Sequence, residues 1–314
     1  MNLKDRRSPK RRKPASKEGK EGRVVETVGR RVRVRDQVGD RICFLSGHRA
    51  VINDRVWWTD APGTGGKITG VIERENLLRR LDVNGRERLL ASNLAGMVVV
   101  VTPKRPDFNG ALIDRYLVAA SMCGIPAVIC LNKVDLEIGP GVAEDLRSRS
   151  EQGFTVLHTS TKTQEGLDAL KTFLSEESKP GHPFVLVGLS GVGKTSLVSA
   201  LLPEQDVGPV GELSEHWEQG RHTTTHSRIF ELSDGGELCD SPGIRTFSPS
   251  GLSPADVKQH FPGMGELCCQ FRDCLHQVGQ LGCEADKVIR PSTLSAYRRL
   301  LDFVTSHDRR VTRS

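Results

Sequence analysis

"GLSGVGKTS", residues 188–196, follows the apolar run "FVLV" at 184–187 and leads into an apolar-periodic stretch over 194–202. Gly188, Gly193, Lys194 and Thr195 keep the spacing of a phosphate-binding loop, four residues between the glycines and then Lys-Thr. Glycines at these points let the backbone wrap its N–H groups around phosphates, and the following helix N-terminus adds a favourable dipole. Leu189, Ser190, Gly191, Val192 and Ser196 complete the loop. In this reading Lys194 contacts the β and γ phosphates and the Thr195 hydroxyl ligates Mg²⁺. The competing reading is a chance glycine-rich turn, and the strand and helix on either side argue against it.

A second nucleotide motif lies more than fifty residues earlier. "LNKVD", 131–135, ends the apolar run "AVIC" and reads as the end of a buried strand entering a loop. The Asp135 carboxylate suits the N–H edge of guanine, the Asn132 amide suits O6 and N7, and the Lys133 stem suits the ring face. Taken alone the pattern is weak and fits a plain polar turn. Its place at the C-terminal end of a parallel strand, where such sheets bind ligands, strengthens it. So does "TSTKTQEGLDAL" at 159–170, one strand later, where Ser160 and Thr161 can offer backbone N–H groups to guanine O6. With the phosphate loop present, guanine is favoured over adenine.

After the phosphate loop comes "GRHTTTHSR" at 220–228. A threonine here can ligate Mg²⁺ when a γ-phosphate is bound, and Thr224 is preferred over Thr223 and Thr225. The alternative is a threonine-rich strand edge. "CDSPG" at 239–243 then provides Asp-x-x-Gly: Asp240 to hold a water of the Mg²⁺ ion, and the Gly243 N–H to sense the γ-phosphate. A glutamine that orients the attacking water often follows that glycine. Ile244 stands there instead, so unaided hydrolysis is expected to be slow. His222 is the polar candidate for positioning the water, with a surface histidine of no such role as the alternative.

Around these motifs the chain divides by texture. Residues 1–20 form a basic tail rich in Pro, Ser and Gly that cannot bury enough surface to fold alone. Residues 21–90 alternate short strands and turns, as in "GRVVETVGRRVRVRD", and predict a small barrel of the oligonucleotide-binding (OB-fold) type. In it, adjacent Trp57 and Trp58 should face opposite ways. Residues 91–250 alternate apolar strands with helices and predict an α/β domain with a mostly parallel sheet; "SDGGE" marks an antiparallel hairpin near its end. Residues 251–314 predict a mostly helical end, with Ser253 capping "SPADVKQHF" and an amphipathic helix over "STLSAYRRLLDFVTSHDRR".

Residues 1–35 carry fourteen Lys and Arg against four Asp and Glu, whereas the whole chain nets +6, so the remainder is acidic on balance. Such a basic end suits a polyphosphate partner, DNA or RNA, unless it serves solubility alone. No apolar run approaches the eighteen or so residues of a membrane span, and no apolar segment follows the basic start. A cytoplasmic protein without membrane contact is expected.

Of eight cysteines, four crowd between 268 and 283 together with a histidine. Cys269-x₄-Cys274-x-His276-x₆-Cys283 suits tetrahedral Zn²⁺ in a closed structural site. Cys268 is adjacent to Cys269 and can replace it, which leaves the register open by one residue; a free-thiol cluster is the other reading.

In chain order the motifs run base reader, its companion, phosphate loop, first switch, second switch. An ordinary GTPase has the phosphate loop and switches first, so the blocks are exchanged as in a circular permutation, which nearby surface termini permit. With "IDRYLVAA", "LNKVDL", "GLSGVGKTSL", "GRHTTT", "DSPGIR" and "CQFRDCLH" in place over nearly the whole chain, the sequence closely resembles the small-subunit-dependent, circularly permuted GTPases of the RsgA (YjeQ) family. The resemblance implies an N-terminal barrel, a permuted GTPase domain and a C-terminal zinc domain. It implies binding of GTP and GDP, and of the small ribosomal subunit and its rRNA late in maturation, with GTP hydrolysis stimulated by that subunit. A monomer is expected. The competing functional reading is an RNA-binding module for which the nucleotide is only a stabilising ligand.

Overall fold

The computed structural model describes residues 19–61, 65–81, 86–202, 226–245, 247, 249 and 251–311. The Val/Arg alternation near the N-terminus does what its period of two dictates. In β2 (Arg31–Arg35) Val32 and Val34 point into a core while the three arginines face solvent. β1 (Lys20–Val28), β2, β3 (Asp40–Phe44), β5 (Gly65–Val71) and β4 (Arg55–Ala61) pair in that order, and β4 returns to β1, closing a five-stranded barrel. Trp58 fills its interior with Val24, Val56 and Ile68, and Trp57 stays partly exposed on the outside, as expected. Gly66 is required beside that ring: a Cβ there would stand 2.5 Å from Cys43 Sγ and 3.0 Å from Trp58 Cε3.

The α/β part is a six-stranded sheet, ordered β10 (Val156–Thr159), β9 (Ala127–Asn132), β8 (Gly96–Val101), β11 (Phe184–Val187), β13 (Glu237–Asp240), β12 (His226–Glu231). The first five are mutually parallel, and β12 joins β13 as the antiparallel hairpin that "SDGGE" predicts. β8 and β11 are buried at every position, which is why they read as unbroken apolar runs rather than alternating ones. α1 (Gly110–Met122) and α2 (Pro140–Glu151) cover one face, and α3 (Leu167–Glu177) and α4 (Lys194–Leu201) the other. Counted from the phosphate loop onward, with β11 first and β10 last, the spatial order is 6-5-4-1-3-2. These strands therefore form one continuous sheet although the chain enters it at β8.

Two connections were not visible in the sequence. β1 also pairs with β12, with Glu26, Thr27 and Val28 opposite Arg228, Ser227 and His226, so barrel and central sheet form one eleven-stranded sheet. A β-bulge between Val24 and Glu26 lets β1 bond β4 with its first half and β12 with its second. Arg23 reinforces this seam with a two-pronged bond to Glu237, both side chains largely buried. The hairpin β6 (Leu77–Leu81) and β7 (Glu87–Ser92) forms its own two-stranded sheet, tied to the barrel by a single bridge between Ala91 and Ile52, and its Leu78 and Ala91 enter the core on the α1 face of the central sheet.

At the C-terminal end Ser253 caps helix Pro254–His260 with a full capping box. This helix and the long helix Pro291–Val311 pack on the outer face of α1. Val118 of α1 joins Val257, Phe261, Tyr297 and Leu301 in one cluster. α1 thus has two buried sides, one on the sheet and one on the C-terminal module. Among the described residues no helix is long and apolar enough to cross a membrane.

Candidate nucleotide and metal sites

The phosphate loop leaves β11 at Val187 and enters α4 at Lys194. Gly188 has φ +144° and a Cβ there would lie 2.3 Å from Val100 O; Gly193 has φ +96° and its Cβ would lie 2.3 Å from Asn132 Nδ2. Both positions demand glycine for backbone conformation and for space. Val192 is buried and anchors the loop in the core, while Leu189, Ser190 and Gly191 are exposed and Thr195 and Ser196 sit half-buried on the first turn of α4. The Lys194 ammonium folds back over the loop and donates to Gly188 O (2.9 Å) and Leu189 O (2.7 Å). Burial, and the neighbouring positive charge of Arg245, lower its pKa to about 8. A half-desolvated cation held by two carbonyls is well disposed towards an anion.

The base motif emerges at the same end of the sheet, and the structure ties it to the phosphate loop. Asn132 is 1% exposed and donates through Nδ2 to Val192 O at 2.9 Å, while its Oδ1 accepts from the Thr159 hydroxyl at 3.2 Å. Lys133, at φ +63°, donates to Gly191 O (2.7 Å) and Arg105 O (2.6 Å). Both residues therefore shape the loop. The Asp135 side chain is 13% exposed and accepts from the Ser160 hydroxyl at 2.6 Å, with Lys162 Nζ 3.9 Å from its other oxygen.

One expectation is corrected here. The Ser160 N–H donates to Glu165 O at 2.9 Å, closing its own loop, and is not offered to a base. Ser160 contributes its hydroxyl, which positions Asp135 and accepts from the Thr163 N–H. Thr161 keeps its place at the tip of the turn, where its carbonyl accepts from Gln164 Nε2.

Asp240 ends β13, next to the phosphate-loop strand β11 in the sheet. Both of its carboxylate oxygens are taken by Arg245, through Nε at 2.6 Å and through Nη2. Gly243 lies in the single helical turn Pro242–Arg245, where a Cβ would meet Leu90 Cδ2 at 3.1 Å. Ile244 is 1% exposed and belongs to the central core, so the residue in place of the expected glutamine acts as an anchor for the turn. His222, Thr223, Thr224 and Thr225 lie outside the described residues.

Two residues of this region escaped the sequence reading as site residues. Arg245 ends "DSPGIR", but nothing in the string assigns it a partner. The Tyr116 hydroxyl donates to Phe247 O at 2.8 Å, just beyond the second switch, and its own oxygen accepts from the Gly188 N–H. Burial raises the pKa of Tyr116 to about 12, so it stays a neutral donor. Its apolar surroundings in α1 gave it the look of a core aromatic.

The Cys/His cluster forms as expected. The ligand atoms of Cys269, Cys274, His276 and Cys283 all lie within 4.8 Å of one another. His276 Nδ1 stands 3.5, 3.5 and 3.6 Å from the sulfurs of Cys269, Cys274 and Cys283. Zn–S near 2.3 Å and Zn–N near 2.0–2.1 Å at the tetrahedral angle place nitrogen and sulfur about 3.5–3.6 Å apart, so the donor set fits one tetrahedral ion. Cys268 is exposed and only approaches Glu266 O at 3.9 Å, which settles the open register in favour of Cys269. His276 Nε2 faces Met264 O at 3.2 Å, the outer partner a metal-binding imidazole uses to hold its tautomer. Burial lowers the His276 pKa and so keeps the ring neutral, the form that ligates. Burial among the other thiols raises Cys274 to about 11, an unfavourable crowding that a bound cation relieves.

Comparison with known proteins agrees with this geometry. The model of the family described as RsgA GTPase matches residues 71–249. The small ribosomal subunit biogenesis GTPase RsgA of Azotobacter vinelandii is 38% identical over 297 residues, spanning 89% of this chain and 84% of its own length. The protein of the same name from Hahella chejuensis is 36% identical over 270 residues, 82% of this chain and 75% of its own. Among solved structures, YjeQ from Thermotoga maritima superposes with a TM-score of 0.70 at 27% identity, covering 91% of this chain and 98% of that one. YloQ, a circularly permuted GTPase, has a TM-score of 0.65 at 21% identity over 95% and 99% of the two chains, a likeness of fold. A GTPase sheet entered at β8, a base reader strapped to a later phosphate loop and a Cys₃His cluster behind the second switch have a common explanation: this chain belongs to the RsgA GTPase family and is a GTP hydrolase.

Proposed function

We propose that this GTPase acts in biogenesis of the small ribosomal subunit, binding the subunit and its rRNA and hydrolysing GTP as an assembly checkpoint that the subunit itself stimulates. The observation that carries the reading is the 38% identity, over 89% of the chain, to a protein named for that process, on a site whose motifs are all in place. Asp135 reads the N–H edge of guanine, the Thr161 amide faces O6, and Asn132 and Lys133 hold the base against the loop. Residues Gly188 to Ser196 wrap the phosphates and Lys194 neutralises them. Thr195, Thr224 and a water on Asp240 would offer Mg²⁺ the oxygen ligands it prefers, and the bound ion would supply charge neutralisation at the phosphates. Ile244 is committed to the core, so the attacking water depends on another group. His222 is proposed for that task, and slow unaided turnover follows.

One structural Zn²⁺ is assigned to Cys269, Cys274, His276 and Cys283. Arg298 donates to His276 O at 2.9 Å and the Tyr297 hydroxyl to Leu275 O at 2.9 Å, so the ion would staple the loop against the long helix. The outward arginines of β2 and the basic tail 1–20 suit an rRNA partner through phosphate contacts. The test is GTP turnover with and without small ribosomal subunits, with ATP as control. Strong stimulation with GTP preferred is expected. Intact subunit binding without stimulation would turn the reading towards an RNA-binding module stabilised by its nucleotide.

A further inference from the structure

Arg245 is the one cation in the described part of the phosphate site for which the ordinary GTPase scheme has no role. It follows Gly243 by two residues on the same helical turn, and its own N–H donates to Ser241 O at 2.8 Å, so its backbone moves with the γ-phosphate sensor. Its neighbour Ile244 is turned into the core, which leaves Arg245 as the first polar side chain after the sensor that faces the site. Its guanidinium covers both oxygens of Asp240, and the two side chains are 21% and 23% exposed. They are desolvated enough for the pair to matter and open enough for it to exchange. The field of Arg245 also reaches Lys194, so the two cations feel each other beside the loop.

We infer that Arg245 is a cis-acting phosphate ligand held in reserve by Asp240: when the Asp240 carboxylate turns to the water shell of Mg²⁺, Arg245 loses its counter-ion and moves to the γ-phosphate. The inference rests on the GTP-hydrolysing reading of this site. It follows from charge balance. A half-buried guanidinium stripped of its carboxylate must find another anion or remain unpaired, and the terminal phosphate is the anion that arrives with the metal. In hydrolysis the water oxygen bonds to the γ-phosphorus and its protons pass to the released phosphate, while the bond to the β–γ bridging oxygen breaks and its electron pair leaves on the β-phosphate of GDP. A guanidinium placed there stabilises the charge that develops on the transferring group, the task an arginine finger performs in other GTPases.

Two measurements on the full-length protein test this: fluorescent GDP and a non-hydrolysable GTP analogue titrated at varied Mg²⁺, and GTP turnover with small ribosomal subunits. Arg245→Ala should lower the Mg²⁺ concentration for half-maximal analogue binding about 3- to 10-fold, because Asp240 no longer has a competing partner, and should slow turnover by at least about 100-fold. A merely structural ion pair does not give this opposite movement. Arg245→Lys, which keeps the charge but not the fork, should hold the Mg²⁺ requirement nearer wild type and recover part of the rate. If Arg245→Ala does not fold, Arg245→Gln serves, with the same shifts expected. An unchanged Mg²⁺ requirement with turnover within about 2-fold of wild type overturns the inference; so does an equal loss of GDP and analogue binding without a Mg²⁺ shift. Failure of the wild-type protein to bind or hydrolyse GTP would instead remove the reading on which it rests.

Discussion

Replacing Asn132 by alanine separates the strap the structure shows from the base contact proposed for this residue. The side chain is 1% exposed, donates to Val192 O and accepts from the Thr159 hydroxyl. Thr159 keeps a second partner, Cys130 Sγ at 3.3 Å, but the Val192 carbonyl loses its side-chain donor inside the core. An orphaned buried carbonyl costs about 1–3 kcal/mol, and a small cavity adds to it, so a loss of about 2–3 kcal/mol is expected in the nucleotide-free protein. At about 2–4 °C per kcal/mol, Tm should fall by roughly 4–12 °C before any nucleotide is added. Asn132→Asp keeps the shape but cannot donate, and should cost at least as much. Asp135→Asn is the contrast, because asparagine keeps an oxygen to accept from the Ser160 hydroxyl, and the other neighbour, Lys162, is exposed and 3.9 Å away. It should leave the nucleotide-free Tm within about 2 °C while GDP affinity falls about 10- to 100-fold, the worth of a charge-assisted pair of hydrogen bonds. Differential scanning calorimetry without nucleotide, followed by fluorescent GDP titration, measures both. A nucleotide-free Asn132→Ala protein melting within 1 °C of wild type would refute the strap and reduce Asn132 to a base contact.

Chelation of the metal should release about one Zn²⁺ per chain and loosen the C-terminal module; mass spectrometry of the metal and hydrogen exchange over 291–311 check this, with Cys274→Ser expected to purify without the ion. Arg23→Ala leaves Glu237 largely buried without its partner at the seam between barrel and sheet, and should cost about 1–3 kcal/mol and raise exchange at the β1–β12 pairing; no change at that seam would mean the ladder alone holds it. Lys194, with a pKa near 8, makes nucleotide binding proton-linked. Its depressed value is a penalty on the empty fold that fades as pH rises above about 8, whereas phosphates require the ammonium, so GDP affinity should fall over the same range and binding should take up a proton. Calorimetry at pH 7 and 8.5 in buffers of different ionisation enthalpy reads that uptake, and identical heats in both buffers would contradict it.

The sequence by itself determined the chemistry of the nucleotide and metal sites. A phosphate loop needs glycines at fixed spacing, a guanine reader needs Asn, Lys and Asp on one turn, and a tetrahedral ion needs four soft ligands in a short stretch. All three are local requirements that a string of residues displays. Chain order also revealed the permutation, because the motifs are countable along the chain; the Val/Arg alternation revealed the barrel, and adjacency showed that Trp57 and Trp58 face opposite ways, whereas the fold chose Trp58 as the inward one. The tertiary structure decided what depends on partners far apart in sequence. The β1–β12 ladder and the Arg23–Glu237 bond join residues some two hundred positions apart. The hairpin β6–β7 reads like another barrel strand pair, yet its inward face meets α1. Cys269 and Cys268 are equivalent as letters, and only the backbone turns one thiol inward. Asn132 reads as a base contact, but packing also makes it the strap on the phosphate loop. Spacing along the chain encodes which groups are available, and burial and geometry across it decide which of them meet.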